Sequence, residues 1–167
     1  MRHSLISRLG ILSSKRTITQ SEFVYWRMFF TESNDTVQNK YISISEINFR
    51  SIIGTDSTMS GTITASSTFV YSGVTYYASN ATDNDANSAW ITAAGLHISS
   101  WWQIQFAEPT EVKQVKFQAY PTTAGAIQMF KSGYLQRSND GTNWTTVMTI
   151  SNQTGWTPGE IRTFTVT

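Results

Sequence analysis

The stretch NATDNDANSAW, from Asn80 to Trp90, concentrates oxygen-bearing side chains that suit either a hydrated turn or a cation site. Asp83, Asp85 and Ser88 stand at i, i+2 and i+5, so a tight turn would gather two carboxylates and a hydroxyl. Calcium takes about six to eight such hard oxygens, whereas magnesium demands a stricter octahedron. Aspartate and asparagine also collect in turns because they bond to nearby backbone, without any ion. From this stretch alone, both interpretations are open.

Other chemistries find little support in the sequence. The loop is not an EF-hand, because it lacks the glycine at the sixth position and Ala94 occupies the place of the closing glutamate. The two histidines, His3 and His97, have no motif partner, and no G-x-S-x-G element is present. The chain has no cysteine, which excludes disulfides and thiolate sites. We therefore expect a protein that is not an enzyme.

The composition indicates what kind of scaffold positions this loop. With 167 residues, 40% of them apolar and only 14% charged, the chain fits one domain with a real core. A net charge of +1 without a basic stripe argues against a nucleic-acid partner. No apolar run reaches the roughly eighteen residues of a membrane span. The richness in serine and threonine favours an all-β protein.

Short runs with period two, separated by turn residues, predict the strands of a β-sandwich. FVYWRMFF is one such run, VKFQAY is another, and IRTFTV is the last. In YISISEINF, Ile42 and Ile44 share one parity while Ile47 and Phe49 share the other. If all four face the core, a β-bulge lies near Ser45 and Glu46. The Asp140-Gly141 pair predicts a hairpin turn.

Taken in order, several of these segments resemble the discoidin family, also called the coagulation factor V/VIII type C domain, which has a galactose-binding-like fold. The matching segments are Ala65-Ser66-Ser67, Ala81-Thr82-Asp83-Asn84-Asp85 with Trp90, Trp102-Gln103-Ile104-Gln105-Phe106, and Ser138-Asn139-Asp140-Gly141 with Trp144. Two residues depart from the family pattern: Asn84 stands where glycine is usual, and Gln105 where aspartate is usual. The resemblance implies a galactose-binding-like β-sandwich, or jelly roll, over residues 23–167.

The order of the motifs differs from that of the family. Discoidin domains end with a Y-ϕ-R-ϕ strand and a ϕ-S-ϕ-x-E-ϕ strand, where ϕ is apolar. Here that pair comes first, as Tyr25-Trp26-Arg27-Met28 and Ile42-Ser43-Ile44-Ser45-Glu46-Ile47. We therefore expect a circularly permuted domain, with Phe23 and Val166 as neighbours, since domain termini often lie close together. Trp90, Trp102 and Trp144 are expected in the core.

The resemblance also implies a structural calcium ion at the Asn80–Trp90 loop. Many discoidin domains bind one there, and the correspondence assigns Asp83, Asp85 and Ser88 as side-chain ligands. Glu46 would close the cage from its bulged strand, and the main-chain carbonyls of Asn80 and Ser45 would complete it.

Discoidin-like modules usually hold their ligand in loops at one end of the sandwich. Sugar-binding members use an aromatic side chain flanked by polar groups, because sugar rings have apolar C–H faces and a rim of hydroxyls. The corresponding loops here are FVYSGVTYY, ITAAGLHISSW and YPTTAGAIQMFKSGY. They offer as candidate ligand-binding residues Tyr71, Tyr76, Tyr77, His97, Tyr120, Gln128, Phe130 and Lys131.

Residues 1–22 differ from the rest of the chain, since Arg2, Arg8, Lys15 and Arg16 alternate with apolar residues and no acid precedes Glu22. We expect an arm that docks on another subunit, or one that folds back on its own domain. The resemblance extends to permuted discoidin-like accessory proteins of phage tails, baseplates or collars. It implies a virion protein, present in several copies, that binds a cell-surface glycan. The alternatives are a structural virion protein without a sugar ligand, an extracellular or cell-surface location, and a phospholipid-binding module with Lys131 at its rim.

Overall fold

The computed structural model describes residues 21–37 and 40–167 and is built from antiparallel β-sheets. This confirms the expected all-β class. The predicted docking arm, residues 1–22, lies outside the described residues except for its last two.

The described chain forms short and medium strands joined by tight turns. In chain order they are β1 Phe23–Ser33, β2 Ser43–Ile44, β3 Glu46–Arg50, β4 Gly61–Ala65, β5 Phe69–Tyr71, β6 Val74–Tyr76, β7 Trp90–Ile91, β8 Ser100–Thr110, β9 Gln114–Gln118, β10 Phe130–Ser138, β11 Thr145–Ile150 and β12 Ile161–Thr165. Two sheets form the sandwich, a five-stranded sheet in the order β11-β10-β1-β8-β4 and a three-stranded sheet in the order β12-β9-β3. The pairs β2-β7 and β5-β6 form two smaller sheets.

The inward side chains of the two sheets form one core. On β1 the buried residues Trp26, Met28 and Phe30 alternate with half-buried ones, as the period-two pattern predicts. Across the sandwich, Phe49 meets Trp102 edge to face with ring centroids 5.6 Å apart. Aromatic pairs of this geometry add to the stability that apolar burial provides. The expected core position of Trp90 and Trp102 is confirmed, because both are 0% exposed.

The predicted bulge at Ser45 is present. Ser45 separates β2 from β3, and its N–H donates to the carbonyl of Gln118 at 3.0 Å, while Glu46 is the register partner of the same Gln118. Two residues therefore oppose one, which reverses the parity of the strand. Because of this reversal, all four residues of the two parities, Ile42, Ile44, Ile47 and Phe49, are buried.

Two short helical turns interrupt the β structure, and the sequence patterns did not reveal them. A 3-10 helix spans Ala78–Thr82, and an α-helix, α1, spans Thr123–Ile127. The Thr122 side chain caps α1 by accepting a hydrogen bond from the Gly125 N–H at 3.0 Å. Five residues are too few to show a helical period. No helix of the described residues is long and apolar enough to cross a membrane.

The beginning and the end of the described chain meet. Phe23 and Val166 both pack against the core, and Ser21, Val166 and Thr167 line the same surface cavity. The Val166 N–H donates to the carbonyl of Lys113 at 2.8 Å, which fixes the last strand at this end of the sandwich.

The proximity of these two ends predicts that the chain tolerates rearrangement. A variant that runs from Gly54 to Thr167, through a Gly/Ser linker of about six residues, and then from Ser21 to Ile53 keeps every strand intact. We expect it to unfold cooperatively with the β-sheet circular dichroism of the 21–167 chain. A control rearranged with its new ends inside β8, between Ile104 and Gln105, should not fold. Non-cooperative unfolding of the first variant would contradict the prediction.

Candidate cation site and ligand-binding loops

The loop after the 3-10 helix turns back sharply at Asn84, whose φ is +61°. Asparagine tolerates this left-handed conformation better than most residues, which explains how the turn forms without the usual glycine. Asp83 braces the turn, since its Oδ1 accepts a hydrogen bond from the Asp85 N–H at 2.9 Å.

Three oxygen atoms meet at the closing residue of this loop. The Ser88 Oγ lies 2.7 Å from Asp83 Oδ2 and 3.0 Å from the Asn80 carbonyl oxygen. A hydroxyl has a single proton, so it can donate fully to only one of these two acceptors. The two acceptor oxygens, of Asp83 and Asn80, therefore outnumber the single hydroxyl proton of Ser88.

Glu46 adds a carboxylate that the sandwich buries. Its side chain is only 6% exposed, and Oε1 has no hydrogen-bond partner among the described residues. Burial, and after it the negative charge of Asp83, raise the pKa of the Glu46 carboxyl to about 7, although Lys116 and the Asn84 N–H lower it. A buried carboxylate without a full set of donors favours its neutral form, or a cation beside it.

Asp85 makes hydrogen bonds within its own loop. Its Oδ1 accepts hydrogen bonds from the Asn87 N–H at 2.9 Å and the Asn87 side-chain amide at 3.3 Å. Within residues 21–37 and 40–167, no three carboxylate or imidazole side chains lie close enough together to hold a metal ion. Ser45 contributes through its hydroxyl, which donates to the Ala86 carbonyl at 2.8 Å and ties the loop to the bulge.

The donors that the structure brings together fit a hard, oxygen-loving cation better than a transition metal. They are the carboxylates of Asp83 and Glu46, the Ser88 hydroxyl and the Asn80 carbonyl, all oxygen ligands. The orphaned Oε1 of Glu46 is the atom that a cation would satisfy most directly. Asp85 and Ser45 brace the loop around these donors.

The β5-β6 hairpin presents aromatic side chains at one end of the sandwich. Ser72 and Gly73, at φ of +49° and +80°, form its two-residue turn. The Phe69 ring stacks on the rings of Tyr71 and Tyr76, with centroids 6.2 and 5.8 Å away, and it contacts the buried Tyr41 ring at 4.8 Å. Tyr71 is 66% exposed. The core therefore holds the inner rings, while the outer ring faces solvent.

A second loop, residues 92–99, lies beside the base of this hairpin. The Ala93 N–H donates to Ser67 Oγ at 3.1 Å, and the Trp90 indole donates to the Ser67 carbonyl at 2.9 Å. The half-buried His97 lies in this loop, with Nδ1 3.3 Å from the Gly95 carbonyl. The hairpin and this loop also carry large apolar side chains that are more than half exposed: Val70, Tyr71, Val74, Tyr77, Leu96 and Ile98.

The candidate ligand-binding residues of the third loop, YPTTAGAIQMFKSGY, lie in different environments. Phe130 is 0% exposed and packs on Phe117 at 4.8 Å, so it belongs to the core and is removed from the candidate set. Lys131 forms an ion pair with Glu32 at 3.1 Å. Tyr120 packs against the Cα position of Gly125 in α1, and Gln128 lines a separate small cavity beside the same helix.

Sequence reasoning missed the aliphatic part of this surface and misplaced one tryptophan. Val70, Val74, Leu96 and Ile98 look like ordinary strand or loop residues, and only their exposure in the fold distinguishes them. Trp144 was expected in the core, but it is half-buried and lies under the Arg27 guanidinium at 3.9 Å. Arg27 alternates with buried residues of β1 and therefore points away from the core, which places Trp144 on the outer face.

A comparison with protein families gives one finding. The family model of the F5/8 type C domain matches residues 62–167, which is more than half of the chain. Neither the curated proteins nor the solved structures contain a significant match.

The raised pKa of Glu46 predicts an unusual pH dependence of stability without added metal. The unfolded chain loses this proton near pH 4.5 and the folded chain near pH 7, so raising the pH between these values favours unfolding. We expect the free energy of unfolding to fall from about pH 5 to pH 7 and then to level off. Glu46→Gln should flatten this slope in urea titrations, and Glu108→Gln, at an exposed position, should not. An unchanged slope in Glu46→Gln would refute the assignment.

Proposed function

Because the chain belongs to the F5/8 type C, or discoidin, domain family, we propose that it is a non-catalytic module that binds a cell-surface glycan through the hairpin end of its sandwich. The domains of this family are generally binding modules for glycans or other ligands, and they are typically extracellular or surface-exposed. The single observation that carries the proposal is the anchored aromatic stack, in which exposed Tyr71 lies on Phe69. Tyr77, at the end of the same hairpin, is also exposed.

This stack suits a sugar for a physical reason. The outer tyrosine ring is exposed, yet Phe69 and Tyr41 fix its position from below, so little side-chain entropy is lost when a ligand binds. A sugar ring can lie on it with its apolar C–H face, while neighbouring hydroxyl and imidazole groups meet the sugar hydroxyls. Tyr76, which stacks on Phe69, and His97, in the loop beside the base of the hairpin, are polar members of the candidate set.

The glycan site predicts specific losses on truncation. Tyr71→Ala and Tyr77→Ala should each weaken binding of the best glycan from an array by about three- to tenfold, or ~1 kcal/mol, as expected for one stacking contact. Tyr134→Ala is the matched control, because Tyr134 is an exposed tyrosine of β10, away from the hairpin. Equal affinities for all three variants in calorimetric titrations would sink the proposal, as would an array without any binding.

We place the calcium ion of the proposal at the Asp83-Glu46 cluster. An ion there would neutralise the buried Glu46 carboxylate and pin the Asn80–Trp90 loop to the bulged strand. Its contribution would be structural and would leave ligand contacts to the loops at the hairpin end.

Calcium should therefore stabilise the protein where Glu46 is ionised. At pH 8, 1 mM calcium chloride, a concentration of about the order bound by extracellular calcium modules, should raise the melting temperature of the wild type by several degrees. Glu46→Gln and Asp83→Asn should abolish this increase, and Glu108→Gln should retain it. Magnesium should act more weakly, because it needs a near-octahedral site. A calcium effect that survives in both site variants would place the ion elsewhere.

We further assign the protein to a phage virion, as an accessory protein of the tail, baseplate or collar that is attached through residues 1–22. Several copies on one particle would multiply a weak affinity for a single sugar. Removing residues 1–22 should then abolish co-purification with the particle while leaving glycan binding by residues 23–167 intact. Loss of both properties together would show that the arm belongs to the domain.

Circular permutation is part of the same proposal. The family match begins at residue 62, yet β1 and β3, which precede it, occupy positions in both sheets of the sandwich. These two strands supply the pieces with which discoidin domains normally end. The rearranged chain that begins at Gly54 restores the strand order of discoidin domains. Its folding therefore tests whether this domain is circularly permuted.

A structural role is the alternative, and the exposed aliphatic residues favour it. Val74 is the register partner of Tyr71, and Leu96 and Ile98 are exposed in the loop beside the base of the hairpin. Exposed apolar residues that cluster commonly mark protein interfaces. If the array is empty and these residues become protected from solvent in the assembled particle, the protein is a spacer or decoration. Phospholipid binding finds less support, because Lys131 is already ion-paired with Glu32.

A further inference from the structure

The surface cavity lined by Ser21, Val166 and Thr167 lies at the end of the sandwich opposite the β5-β6 hairpin. β1 runs the length of the five-stranded sheet, from Phe23 at this end to Ser33 at the other. At the far end Ser33 Oγ donates to the carbonyl of Tyr41, whose ring stacks on Phe69 of the hairpin. The cavity has a volume of about 430 Å³ and lies near the start of β1, so it is separate from the proposed glycan loops.

Arg137 is the charged residue on the inner wall of this cavity. It pairs in register with Trp26, which is buried in the core, so Arg137 also stands on the inward side of its sheet. Its guanidinium lies over the Phe23 ring, 4.2 Å from the centroid. The Nε atom is buried and has no hydrogen-bond partner among the described residues.

In the other arginines of the described chain, the Nε atom donates a hydrogen bond. Arg27 Nε donates to Gln136, Arg50 Nε to Asp56 and Arg162 Nε to Glu160, at 2.7 to 2.8 Å. None of the ion pairs within residues 21–37 and 40–167 includes Arg137. A buried donor without a partner costs free energy, so a group that supplies an acceptor here would be bound favourably.

The charged residues that line the cavity indicate which kind of acceptor group would bind to Arg137. Lys113 and Glu111 stand on its rim and are paired with each other at 3.3 Å. Among the lining side chains, Arg137 is therefore the one whose positive charge has no ion-pair partner among the described residues. One planar guanidinium matches one carboxylate, which it can hold by two parallel hydrogen bonds. A ligand with one negative charge therefore matches the single guanidinium better than a ligand with two.

The remaining walls indicate the body of the ligand. Val112 and Val147 give apolar surface, and the hydroxyls of Thr145 and Thr146 border it. The volume lies within the range of small-molecule sites. Residues 1–20 contain no acid and cannot supply the carboxylate. We propose that this cavity binds a small carboxylate-bearing sugar, such as a uronic acid, with Arg137 holding the carboxylate.

This site does not depend on the glycan loops, and sodium glucuronate tests it directly. In NMR titrations of the full chain, we expect saturable shifts of the Thr145 and Val147 amides with glucuronate and none with glucose, its neutral analogue. Arg137→Met, which keeps an apolar stem over Phe23, should weaken binding at least tenfold. Arg137→Lys, which keeps the charge and loses the planar fork, should weaken it about fivefold.

Arg162→Met is the matched control, because Arg162 also stacks on an aromatic ring, Trp156 at 4.0 Å, but has a bonded Nε. It should bind glucuronate like the wild type. Inorganic phosphate at the same pH should compete poorly. The proposal is overturned if the wild type shows no saturable shifts, if Arg137→Lys binds as well as the wild type, or if phosphate binds more tightly than glucuronate. The wild-type and lysine measurements decide the question even if the methionine variant does not fold.

Discussion

The whole sandwich depends on the pairing of β1 along both of its edges. This strand lies between β10 and β8, so its backbone groups bond on each side and its inward residues Trp26, Met28 and Phe30 fill the middle of the core. Without it, β10-β11 and β4-β8 would be two separate hairpin-like ribbons, each too small to be stable alone. The strand that organises the sheet therefore comes from outside the part of the chain that matches the family model.

Four buried side-chain atoms of the described residues lack a hydrogen-bond partner, and two of them belong to charged groups that a ligand of opposite charge would satisfy. Glu46 keeps a carboxylate oxygen without a donor, and Arg137 keeps a donor without an acceptor. Isolated charges of this kind are costly in a protein interior, so they mark places where stability is lower than packing alone would allow. Their opposite signs also explain why the two sites call for opposite partners, a cation and a carboxylate.

The ligand-facing surfaces follow from how the scaffold holds its loops. The hairpin stack is ordered from below by Tyr41 and Phe69, and the neighbouring loop is tied to its base through Ser67. The loop proposed to bind a cation is held in the same manner, since the Ser45 hydroxyl in the bulge donates to the Ala86 carbonyl. In each case a residue next to a strand fixes a loop from one side, which leaves the other side for a partner.

The sequence by itself determined the fold class, the longer strands and the bulge, because these depend on local periodicity. It took FVYSGVTYY for a loop, whereas this segment forms the β5-β6 hairpin. The parity change between Ile44 and Ile47 located the bulge, and the tolerance of asparagine for positive φ explained the turn at Asn84. Tertiary structure decided which candidates share a site. It brought Glu46 beside Asp83 but turned Asp85 towards Asn87, and it buried Phe130 while exposing Tyr71. It also revealed the unpaired Arg137, because satisfaction of a hydrogen bond depends on residues far apart in the chain.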